Sequence, residues 1–133
     1  MIMMRRGIIL FAVVLTALSL GVAAAQENEL AGVWLHKGAG GFTSELIIFP
    51  DGRFQKQDSQ GGHQTLISGP IQKIPNPPTL RLNIKDYAPK QWCGPLGCTT
   101  IRMPAAEMYR YKVEGKVLLL WDQQGKWPYQ RIR

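Results

Sequence analysis

The sequence predicts an all-β domain, a small antiparallel up-and-down β-barrel of about eight strands, placed after a cleaved amino-terminal leader. Three observations predict it. Helical periodicity is almost absent beyond residue 25. Apolar and polar residues alternate in short runs: Leu80, Leu82 and Ile84 against Arg81, Asn83 and Lys85, and Tyr109, Tyr111 and Val113 against Met108, Arg110 and Lys112. Turn residues separate these runs roughly every eight to twelve positions, the spacing of sandwiches and barrels.

The leader comes first in the chain. MIMMRR supplies a positive start, Gly7 to Val22 an apolar run, and Ala23-Ala24-Ala25 a small-residue cleavage site before QENE. The run also approaches the ~17 to 25 residues of a membrane anchor, so retention is the alternative to cleavage. Cleavage after Ala25 assigns residues 1–25 to a signal peptide and 26–133 to one domain in the common size range. Arg5 and Arg6 leave with the leader, lowering the formal charge from +7 to +5. The expected location is periplasmic or secreted.

The first strand opens at LAGVW, where Gly32 precedes Trp34 by two positions. A large ring that close to a glycine implies packing where a main chain comes near. In ELIIFPDGRF, Pro50, Asp51 and Gly52 predict a hairpin turn between strands at about Thr43 to Phe49 and Arg53 to Gln57. A weaker strand is expected over His63 to Ser68. PNPPT, Pro75 to Thr79, cannot sit inside a ladder and is a loop or lead-in to LRLNIK. The connection from Tyr87 to Gly97 is expected to be irregular, and it contains WCGPLGC. An oxidising compartment and the Gly-Pro-rich spacer predict a disulfide between Cys93 and Cys98. Thr99 to Met103 is needed as another weak strand. The Tyr109 strand then turns at Glu114-Gly115 into VLLLW, Val117 to Trp121, and DQQGK turns into WPYQRI. Sequential short connections favour a meander, whose closure removes exposed edges.

Gly32-Val33-Trp34 on the first strand, together with a basic residue in the terminal YQRIR, resembles the signature of small bacterial secreted lipocalin-like domains of the calycin superfamily. The resemblance implies that Trp34 closes one barrel end and that a cationic side chain of the last strand lies over its ring. Arg131 is the candidate, with Arg133 second, because Arg131 shares the alternation of Trp127 and Tyr129. The chain is shorter than the larger transport lipocalins and lacks a helix before the last strand, so its interior could be filled by side chains.

No catalytic constellation is legible, and no metal or cofactor set is nominated. Ser44, Ser59 and Ser68 lack a nucleophile elbow, Glu45 and Asp51 flank a turn, and His36 and His63 are expected as surface or loop histidines. The expected function is non-catalytic binding of a small apolar ligand at a barrel mouth lined by Trp92, Tyr109 and Tyr111. The rivals are a periplasmic protein-binding module, such as an inhibitor of an exported hydrolase, and a structural envelope protein using its positive charge against anionic surfaces. Nucleic acid is not an expected partner, since export separates the two and no aromatic-basic platform stands out. LIIF and VLLLW are apolar at every position, so part of each strand faces outward; Ile47, Phe49, Leu118 and Leu120 are the nominated contacts with a second copy or another protein.

Overall fold

Period-two alternation gives each strand one face for a core, and the turn residues fix where the chain reverses. The computed structural model describes residues 29–133, and within these Ala31–Arg133 form one compact unit. The leader and its cleavage site lie outside the described residues. The strands are β1 (Gly32–Lys37), β2 (Thr43–Ile48), β3 (Arg53–Gln60), β4 (His63–Ile74), β5 (Thr79–Asn83), β6 (Asp86–Ala88), β7 (Gln91–Gly94), β8 (Gly97–Thr100), β9 (Ala106–Glu114), β10 (Val117–Trp121) and β11 (Lys126–Arg131). Among the described residues no helix is long and apolar enough to cross a membrane.

Eight of these strands close an antiparallel barrel in chain order, β1 to β5 and then β9 to β11, with β11 returning to pair with β1. The architecture is therefore compatible with a lipocalin-like fold. The turns follow from their residues. Gly52 takes φ +88, and its N–H donates to the Phe49 carbonyl at 3.1 Å, which closes the β2–β3 hairpin. Gly61 and Gly62 both take positive φ, +57 and +82, as a two-residue hairpin connection requires. Asp122 Oδ1 accepts from the N–H groups of Gln124 and Gly125 at 2.7 and 3.2 Å and shapes the β10–β11 turn.

Strand β4 is longer than the expected His63–Ser68 because it changes neighbours. Its first part pairs with β3 and β6, and its second part, from Ile71, pairs with β5. The change falls at Gly69-Pro70. A side chain at Gly69 would overlap the Asn83 carbonyl, so the corner is possible only because two main chains can touch there.

The segment expected to be an irregular loop followed by a barrel strand at Thr99–Met103 is different. β7 and β8 form a separate two-stranded hairpin outside the barrel, with Cys93 directly opposite Cys98 and the two joined as a disulfide. Residues 101–104 are not strand. The barrel does not need them, because β9 begins at Ala106 and pairs directly with β5.

The interior holds Trp34, Leu46, Ile48, Phe54, Leu80, Leu82, Leu118 and Leu120, all buried. This corrects the nominated contact surface. Leu118 and Leu120 face Tyr129 and Trp127 across the ladder and are 0% and 1% exposed, so the outward members of VLLLW are Val117, Leu119 and Trp121. Ile47 and Phe49 are half-exposed, whereas Leu46 and Ile48 fill the core.

Candidate functional site

One end of the barrel is plugged. Trp34 is fully buried there and pairs across the ladder with Arg131, whose guanidinium carbon lies 4.4 Å from the centre of the indole ring. Arg131 also donates to the Ala31 carbonyl at 2.8 Å. Gly32 is the reason the two can meet. A Cβ on it would come within 2.8 Å of the Arg133 carbonyl and 2.9 Å of the Arg131 guanidinium, and its φ of +148 is rarely adopted by other residues.

At the opposite end the interior is open and polar. Lys56 and Asp58 stand two apart on β3, and Glu107 and Tyr109 two apart on β9, so both pairs point inward. β3 and β9 are not neighbours in the sheet; β4 and β5 separate them, and the pairs meet across the lumen. The Lys56 ammonium donates to Asp58 Oδ2 at 3.0 Å and to Glu107 Oε1 at 3.1 Å. Tyr109 donates its hydroxyl hydrogen to the same Glu107 oxygen at 2.9 Å. A second tie crosses β1, where Ser44 and Tyr129 share a 2.7 Å hydrogen bond. His36 donates from Nδ1 to the Pro128 carbonyl at 2.8 Å.

Burial sets the electrostatics here. The Lys56 side chain is only 7% exposed. Burial disfavours its charge, but the attraction of Glu107 and then Asp58 outweighs that cost and holds its pKa above lysine's ordinary range. For the hydroxyls of Tyr109 and Tyr129 burial acts in the other direction and pushes their pKa up. Of the carboxylate oxygens here, Asp58 Oδ1 is buried and receives no hydrogen bond from the protein.

Lys56, Asp58, Glu107 and Tyr109 line a cavity of about 200 Å³ together with Phe42, Leu120, Trp127 and Tyr129. An outer groove of about 550 Å³ shares Phe42 and Asp58 with it and continues past the β3–β4 turn to His63 and Trp92. Trp92, on the disulfide hairpin, packs its ring 4.9 Å from that of His63. Among the described residues no three His, Cys, Asp or Glu side chains converge as a metal set.

The three aromatic residues expected at the mouth are thus separated. Tyr109 lines the inner cavity and Trp92 the outer groove, while Tyr111 sits deeper on β9, opposite Leu120, and lines neither. His36 departs from the expected surface or loop position: it points inward from β1 and is 8% exposed, beside Tyr129. His63 is exposed at the start of β4. Lys56, Asp58, Glu107, Trp127 and Tyr129 were not expected in a site. Their signal was parity, since Lys56 and Asp58 alternate in register with Phe54, and Glu107 with Tyr109. Comparison with protein-family models, curated proteins and solved structures finds no match for this chain.

Proposed function

We propose that the protein is an exported, non-catalytic, lipocalin-like carrier or sensor that takes one small molecule into the open end of its barrel. The observation that carries this reading is the interior cavity itself. A barrel stabilised only by its own packing would fill its lumen with side chains, whereas this one leaves about 200 Å³ beside a buried ion triad. The groove outside it, at about 550 Å³, lies within the common range for ligand pockets, and the inner cavity adds a deeper compartment. Aromatic walls with a few convergent polar groups are the usual composition of such a site.

The plugged end supports the same reading. With Trp34 and Arg131 packed together at the opposite pole, the cavity lies toward the end of the barrel where the Phe42 connection and the Trp92 hairpin line the outer groove. The Cys93–Cys98 disulfide fits an oxidising, extracytoplasmic setting and holds that hairpin. Native mass spectrometry of the protein purified from its own envelope tests the proposal. The expected result is a species heavier than the chain by one small molecule, released on mild activation. A bare chain would argue against it, and a stoichiometric protein partner would favour the rival inhibitor reading.

A further inference from the structure

The rim of the barrel specifies a ligand class for the outer groove, an inference that rests on the small-molecule reading above. We infer that this groove takes a neutral saccharide, a pyranose ring laid with one C–H face on the Trp92 indole and with its hydroxyl groups directed at Gln60, His63 and Thr65.

β3 and β4 each carry one lumen-facing row of side chains, and the two rows change character together. Deep in the barrel they are apolar, with Phe54 and Ile67 both buried. Lys56 and Asp58 follow on β3, and beyond them Gln60 continues the same alternation, while Thr65 and His63 continue that of Ile67 on β4. The register sets Gln60 directly opposite His63 and Asp58 opposite Thr65, so these side chains share one face at the rim. All of them line the groove, and among the described residues no side-chain hydrogen bond engages Gln60, His63 or Thr65. Gln60 and Thr65 each offer both a donor and an acceptor, and the His63 ring adds its nitrogen atoms. Trp92 lies beside them, its ring 4.9 Å from that of His63 and 45% of the residue still exposed. The Cys93–Cys98 disulfide closes the hairpin next to Trp92, so the indole is held before a ligand arrives and little freedom is lost on binding.

The charge on the wall narrows the class. The protein has 16 Lys and Arg, yet among the described residues none of them lines this groove, so a phosphate or carboxylate would arrive without a cation to meet it. The acidic group on the wall, Asp58, is already paired with Lys56 at 3.0 Å, which leaves a cationic ligand no free counter-charge. A wholly apolar ligand would take water from Gln60 and Thr65 and return no hydrogen bond. A pyranose meets all three conditions. It is uncharged, its hydroxyls both donate and accept, and the C–H groups of a ring face carry the slight positive charge that the negative face of an indole attracts.

A glycan array carrying neutral pyranosides beside their uronate and 6-phosphate counterparts tests the inference on the full chain. The best-retained neutral glycan is then titrated in free form, with amide shifts as the readout. The expected result is retention of at least one neutral glycan, its acidic counterparts at least tenfold weaker, and shifts centred on the β3–β4 turn and β7. 2-Phenylethanol, with a ring and a single hydroxyl, is expected not to displace it. Trp92→Ala should lower the affinity at least tenfold and Trp92→Phe should recover part of the loss. Both variants are expected to keep the parent circular dichroism, because Trp92 sits on the hairpin outside the barrel. Acidic glycans held as tightly as neutral ones, displacement by 2-phenylethanol, or a Trp92→Ala variant that binds like the parent would each overturn the inference. An array that retains no glycan would overturn it as well, and native mass spectrometry then separates the two readings: a retained small molecule of another class leaves the small-molecule reading standing, whereas a bare chain removes both.

Discussion

The side chains that decide this molecule are the ones placed where their chemistry is least at ease. Lys56 is a cation enclosed by the barrel, tolerated because Asp58 and Glu107 face it within hydrogen-bonding distance. Removing the lysine leaves two carboxylates confronting each other, and breaking a buried ion pair by deleting one partner costs about 3–5 kcal/mol. Lys56→Met is therefore expected to lower unfolding free energy by an amount of that order, read by urea denaturation. At the other pole, Arg131 combines a ring contact with Trp34 and a hydrogen bond to the Ala31 carbonyl. Arg131→Ala should cost about 2 kcal/mol, and Trp34→Ala about 3–5 kcal/mol because a large ring leaves a core that cannot collapse around the void. Equal stability of either variant and the parent would show that the plug does not hold the barrel closed.

At the level of elements, corners and hairpins test how the strands are joined. Gly69 lets β4 leave β3 and meet β5, so Gly69→Ala must push the Asn83 main chain away and should destabilise the fold well beyond an ordinary surface substitution. The disulfide hairpin is the opposite case. Cys93 and Cys98 enclose a short loop outside the barrel, and in the chain-entropy model the cross-link contributes only about 2 kcal/mol. Cys93→Ser with Cys98→Ser should leave the barrel folded by circular dichroism while loosening Trp92 from His63. Most elements were legible from alternation and turn chemistry, including β2 and β3 around Pro50-Asp51-Gly52, and β9 to β11 around their tight turns. The extent of β4 was not, because a strand that swaps partners needs a contact with Asn83 that local sequence does not reveal. The polar cluster was hidden for a related reason. Lys56, Asp58 and Glu107 look like solvated charges until β3 and β9 are known to face one another across the lumen. VLLLW illustrates the limit of pattern alone: with every position apolar, only the register against Tyr129 and Trp127 decides that Leu118 and Leu120 point inward.

For the molecule as a whole, the interior ties join strands that are not neighbours, so losing them should loosen the closed barrel together. The Lys56–Glu107 contact links β3 to β9, and the Ser44–Tyr129 bond links β2 to β11. Burial raises the pKa of Tyr109 and Tyr129, and for Lys56 the pull of Glu107 and Asp58 exceeds the opposing effect of burial. Each of the three groups thus holds its proton more tightly in the folded than in the unfolded chain. Their contribution to stability is fully present below the unfolded values, about 10 for tyrosine and 10.4 for lysine, and is lost as pH rises above them. Lys112 is also raised by its bond to Glu114, but that pair is exposed and screened, and it adds little. Urea midpoints should therefore be nearly constant from pH 7 to about 9.5 as far as these three groups govern them, and fall steeply above pH 10. Tyr129→Phe keeps the ring but removes one titrating hydroxyl, and its midpoint should start lower, through loss of the Ser44 bond, and then decline less steeply. A parent midpoint that stays level to pH 11.5 would mean that the barrel opens to solvent before these groups ionise, and that the interior ties do not act as a unit.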